Sequence, residues 1–163
     1  MKRIAFGATL LIAAALWLPT AVAHTPIDAG IGENLETAVR IPDPTKSWAM
    51  YAELHEGGEA NYYVFDIAEG ERIHVSLMTT TAAEDLGFTP GVLLMGPGLV
   101  SQGFVPAYIE TPEGAGVLAV NGTRAAQATY EAFAPSSFVA LADIAIDAPE
   151  AGAYYVAVHN PDR

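Results

Sequence analysis

Asn61-Tyr-Tyr-Val-Phe-Asp-Ile67, followed by Ala68-Glu-Gly-Glu71 and then Arg72-Ile-His-Val-Ser-Leu-Met78, is the stretch on which the fold class turns. In a strand, successive side chains leave opposite faces, so Tyr63, Phe65 and Ile67 share one face of the first run. In the second run Ile73, Val75 and Leu77 share a face, while Arg72, His74 and Ser76 point the other way. Two alternating runs joined by an acidic turn with a glycine predict a half-buried β-hairpin.

The same plan returns in residues 141–158, "LADIAIDAPEAGAYYVAV", with hardly any matching residues, so it reads as recurring hairpin physics and not as a sequence repeat. Further strands are predicted at Trp48 to Leu54, Gly91 to Met95, Gly116 to Val120, Phe138 to Ile146 and Ala153 to Val158. Helical periodicity is scarce. Many short strands with turn signals between them predict an all-β, mostly antiparallel, jelly-roll-like β-sandwich over residues 47–163. Residues 24–46, rich in Gly, Pro, Asp and Asn, read as an irregular lead-in with one helical turn at Glu33 to Ala38. The long loop from Leu99 to Ala115 has two readings: a binding loop, or a cover over one open end of the core.

The amino end has the order of a secretory signal: basic Met1-Lys-Arg3, an uncharged apolar run from Ile4 to Leu18, and Ala21-Val-Ala23 as a small-residue cleavage site. A membrane span needs roughly 20 apolar residues, more than this run has, so residues 1–23 are expected to be cleaved, with His24 as the mature terminus. That leaves 163 − 23 = 140 residues, one ordinary domain. Lys2 and Arg3 leave with the signal, so 7 − 2 = 5 basic residues face 19 acidic ones, a formal charge of −14. Such a charge disfavours nucleic acid and anionic lipid as partners, so no nucleic acid is expected, because binding phosphates takes a positive face. The chain has no cysteine, hence no disulfide, thiolate metal site or cysteine nucleophile.

Three segments, "GENLETAVRI", "GGEANYYVFDIAEGERIHVSL" and "APEAGAYYVAV", together resemble the bacterial pre-peptidase C-terminal domain over roughly residues 31 to 159. The resemblance implies a β-sandwich accessory module on an extracellular protein, and no reaction. Glu59 and Asn61 stand where that family tends to have two aspartates, a departure at its calcium pair. The family closes its sandwich with one more strand, whereas here the chain stops at His159-Asn-Pro-Asp-Arg163, so the chain is expected to be cut short, with a final strand and a membrane anchor as the expected contents of the missing tail.

For chemistry, a mature amino-terminal His24 offers its α-amino and ring nitrogens together, a chelate that suits copper if His55, His74 or His159 adds an imidazole. The competing reading makes all four histidines solvated surface residues. Calcium is the second metal candidate, through Glu59 and Asn61 and the acidic residues Asp28, Glu33, Glu36, Glu56 and Asp66, although no D-x-D-x-D-G loop occurs. Asn121-Gly-Thr123 is a glycosylation sequon. Tyr62, Tyr108, Tyr130, Phe133 and Tyr155 could stack on sugars if they shared one surface. No G-x-S-x-G elbow, H-E-x-x-H, P-loop or dinucleotide fingerprint occurs, and no enzyme is expected. The expected function is an exported, non-catalytic module for binding, adhesion or structural support at the cell surface, with an extracellular protein or glycan as partner. The alternative is an extracytoplasmic copper-binding protein using His24.

Overall fold

The structure, a computed structural model, describes residues 25–27, 32–82, 87–132 and 134–161. The expected signal segment, His24, Asp28 and Phe133 lie outside the described residues. Every regular element described is a strand: β1 (Thr25–Ile27), β2 (Val39–Arg40), β3 (Trp48–Met50), β4 (Ala60–Ile67), β5 (Arg72–Thr80), β6 (Gly91–Gly96), β7 (Gly116–Val120), β8 (Ala128–Glu131), β9 (Ser136–Asp147) and β10 (Gly152–His159). They form a five-stranded sheet in the order β2-β4-β10-β6-β7, a three-stranded sheet β5-β9-β8, and a two-stranded pair β1-β3.

The expected hairpin is not a hairpin. β4 pairs with β10 and β2 in the larger sheet, whereas β5 pairs with β9 in the smaller one, so residues 68–71 carry the chain across from sheet to sheet. The second segment of the same plan does likewise, β9 lying in the smaller sheet and β10 in the larger. The two arches stack on each other: β4 lies antiparallel to β10, β5 antiparallel to β9, and the turns are tied by Gly70 N–H to Ala148 O and Ala148 N–H to Glu71 O, both 2.8 Å. The alternation is as expected; what it faces is different. Tyr63, Phe65 and Ile67 look across the sandwich at the side of β5 and β9 that carries Ile73 and Ile144, and all five belong to one buried cluster with Val92, Leu94, Tyr154 and Val156.

Several smaller expectations are also corrected. The lead-in contributes β1 and β2, whose pairings with β3 and β4 are parallel, so the larger sheet is mixed and the β1-β3 pair is parallel. No helical turn forms at residues 33–38, because Asn34 Oδ1 accepts both the Thr37 N–H (2.9 Å) and the Thr37 hydroxyl (3.0 Å), closing a bend instead. The first predicted strand stops at Met50, and β8 had no clear alternation to announce it.

The loop after β6 is a cover, but not over an end. It lies on the outer face of the larger sheet, where Val105, Tyr108 and Ile109 pack on Tyr62, Leu93, Met95, Val117 and Ala157. The Tyr62 hydroxyl pins it by accepting the Glu110 N–H at 2.8 Å. This second apolar layer explains why β6 is buried along its whole length, as strands covered on both faces are. The outer face of the smaller sheet stays wet and carries cross-strand pairs, Arg72 with Asp147 at 3.0 Å and His74 with Asp143 at 2.7 Å. Among the described residues, no helix is long and apolar enough to cross a membrane.

Candidate functional site

The two sheets do not close along the side where β5 is the margin. A slot of about 410 Å3 opens there, within the roughly 300–1,000 Å3 typical of ligand sites. Its lining includes every residue of β5 from Arg72 to Met78. Consecutive strand residues leave opposite faces, so a cavity that touches all of them runs alongside the strand's edge and not under one face. The opposite wall is likewise continuous, from Lys46 through β3 to Ala52. The slot therefore lies between two strand margins. Among the described residues, β9 is the only backbone partner of β5, β1 is the only strand partner of β3, and no further backbone hydrogen bond reaches residues 72–79.

Its floor is the inter-sheet core itself: Tyr63, Phe65, Ile67, Ile73, Val156 and Val158. Tyr51 (57% exposed) and Met78 (44%) stand at the mouth as large apolar side chains in water. The charged side chains of the lining are Lys46, Arg72 and Glu131, so this place lacks the acidic excess of the whole chain. Lys46 is held by Asp43 at 3.0 Å and Arg72 by Asp147. Alternation in β5 was visible in the sequence; that its second edge would stay open was not, because edge status depends on which strands arrive as neighbours.

The histidines do not meet. His55 is exposed beside Glu53 at 3.6 Å, and His74 is exposed on the wet face with Asp143. His159 is not a surface residue at all, being 3% exposed at the end of β10. Its ring fits because the neighbouring position in register is Gly91, where a Cβ would run into Nε2. The Tyr108 hydroxyl lies 2.8 Å from His159 Nδ1 and 3.1 Å from Asn160 O, which can accept its proton.

Burial holds the His159 pKa below its ordinary value of 6.5. The unfolded chain then takes up a proton below about pH 6.5 that the folded chain refuses, so this residue's contribution is complete above that pH and lost on acidification. Denaturant midpoints measured at pH 7.5 and 5 should fall further for the natural protein than for His159→Gln; equal falls would refute the assignment.

Glu59 and Asn61 both serve the loop before β4. A Glu59 carboxylate oxygen accepts the His55 N–H at 2.6 Å, and backbone donors, His55 first and then Glu56, hold its pKa below the ordinary carboxylate value. The buried Asn61 amide donates to Glu53 O at 3.3 Å. Asp66 is paired with Arg40 at 2.6 Å. Among the described residues, no three His, Cys, Asp or Glu side chains converge as metal ligands would. Asn121 is exposed directly after β7. Among the described residues the aromatic candidates do not form a platform: Tyr62 is buried under the loop, Tyr108 is bonded to His159, and Tyr130 is exposed on β8 in the other sheet.

Compared with family models, curated proteins and solved structures, the chain matches none.

Proposed function

We propose that this chain is an exported, non-catalytic β-sandwich module of the pre-peptidase C-terminal type that works outside the cell or at its surface by binding a ligand in the slot beside β5. The observation that carries the reading is the slot itself, an apolar cleft continuous with the core, with Tyr51 and Met78 exposed at its mouth. Apolar surface kept in water is costly, and a concave apolar site with few polar groups is the usual form of a binding cleft. Export is supported by the order of residues 1–23, and a cysteine-free chain has only its core to stabilise it.

The test uses an environment-sensitive naphthalene dye and the secreted protein. Its emission should rise saturably with the natural chain and require about fivefold more protein with Val75→Phe, which fills the slot from β5. Circular dichroism establishes that the variant is folded, and amino-terminal sequencing should begin at His24. Dye emission unchanged by Val75→Phe, or a secreted chain beginning at Met1, contradicts the proposal.

A further inference from the structure

An aliphatic ligand would satisfy the floor of the slot and ignore its walls. The walls are two strand margins, and β5 presents the amides of residues 72–79 with no backbone partner on the slot side among the described residues. An open strand margin is a template for another strand. Beside this one lies an apolar floor with the period of two that an incoming strand's alternate side chains require. From Arg72 to Met78 the margin runs six steps of about 3.3 Å, roughly 20 Å in all, the length of an ordinary strand.

Resting on the reading of the slot as the binding site, we propose that its ligand is a β-strand donated by a partner polypeptide. The donor is an extended segment with apolar side chains at alternate positions and Lys or Arg at its ends. Main-chain hydrogen bonds to β5 supply affinity, and contacts of alternate side chains with Tyr63, Phe65 and Ile73 supply selectivity. Charge selects the source. The chain carries a formal net charge of −12, and the basic residues of the lining are already paired, Lys46 with Asp43 and Arg72 with Asp147, so a second copy arrives against repulsion and a segment with basic ends arrives with the field. The irregularity between Leu77 and Met78, which shifts the register against β9, twists the margin and limits pairing to residues 72–77.

The experiment uses the isotope-labelled full chain and an eight-residue peptide of alternating Val and Thr with Lys at both ends. Three further probes accompany it: the same peptide N-methylated at the amides that would face β5, a version with Glu at both ends, and a long-chain alcohol. Because the change is made in the ligand, the folding of the protein is never in question. Saturating peptide should slow hydrogen exchange of the slot-side amides of residues 72–77 by about tenfold or more and shift the Trp48 resonances. N-methylation should weaken binding by about tenfold or more, and Glu ends by about fivefold.

Equal binding of the methylated peptide overturns the proposal, as does equal binding of the Glu-ended one or perturbation mapped to Val100 and Phe104. So does finding the slot-side amides of β5 already protected in the natural protein, whether by a second copy, seen as a dimer in sedimentation, or by another segment of its own chain. Binding of the alcohol without the peptide overturns strand donation and leaves the slot as an apolar binding site. Perturbation of the slot by none of the probes refutes both.

Discussion

Truncation of Tyr154 to alanine is expected to remove about 3–5 kcal/mol of stability, against a total of about 5–15 kcal/mol for a domain of this kind. Tyr154 is completely buried in the inter-sheet core, its ring stacked on Phe65 with centroids 6.2 Å apart and planes 19° apart. Its hydroxyl lies 2.8 Å from Pro97 O and 2.9 Å from Glu150 O, so one phenol proton is shared between the loop after β6 and the turn before β10. Burial pushes the phenol pKa upward, which keeps it a donor across the ordinary pH range. Tyr154→Phe retains the ring and strands the two carbonyls, for a loss of about 1–3 kcal/mol. Urea unfolding followed by circular dichroism separates the two variants. A phenylalanine variant as damaged as the alanine one would mean that the hydrogen bonds, and not ring burial, hold the arches together.

Gly116→Val should be comparably severe for a different reason. Gly116 pairs with Gly96 in register, and a Cβ there would collide with the carbonyl oxygen of Leu99 and lie 2.8 Å from the Leu99 Cβ. The obstacle is main chain, which cannot rotate aside as a side-chain tip would, so the cost lies at or above the upper end of the ~1–3 kcal/mol usual for overpacking. What yields is the covering loop. Its displacement uncovers Leu93 and Met95, breaks the Tyr62 bond to Glu110, and frees Tyr108 from His159. Hydrogen exchange at Ile109 and Glu110 should accelerate by about tenfold or more, and the pH-dependent component assigned to His159 should diminish in parallel. Unchanged exchange at those two amides would show that the loop does not depend on the close approach at Gly116.

Much of this architecture was legible in the chain. β4, β5, β6, β7, β9 and β10 all lie where alternation or a short apolar run placed them, within a residue or two at each end. β1, β2 and β8 were missed because they are two to four residues long and take their strand geometry from a neighbour, not from a pattern of their own. His159 was misjudged for a related reason. Its burial is created by Tyr108, 51 residues away, and by the missing side chain at Gly91, neither of which leaves a mark near position 159. The slot had half a signal: the apolar face of β5 was plain, while its open margin was not.

By itself, then, the amino-acid sequence determined that this protein is built of strands, where the principal ones run, and which side chains of each turn inward. These are local consequences of a two-residue repeat and of turn chemistry. Only the tertiary structure decided that β4 and β5 face each other across the core, that the two arches stack, and that a cleft remains between β3 and β5. The physical reason is a degeneracy. An alternating strand buries the same side chains whether its successor lies beside it or opposite it, and the choice is made by backbone pairing with β9 and β10, far along the chain.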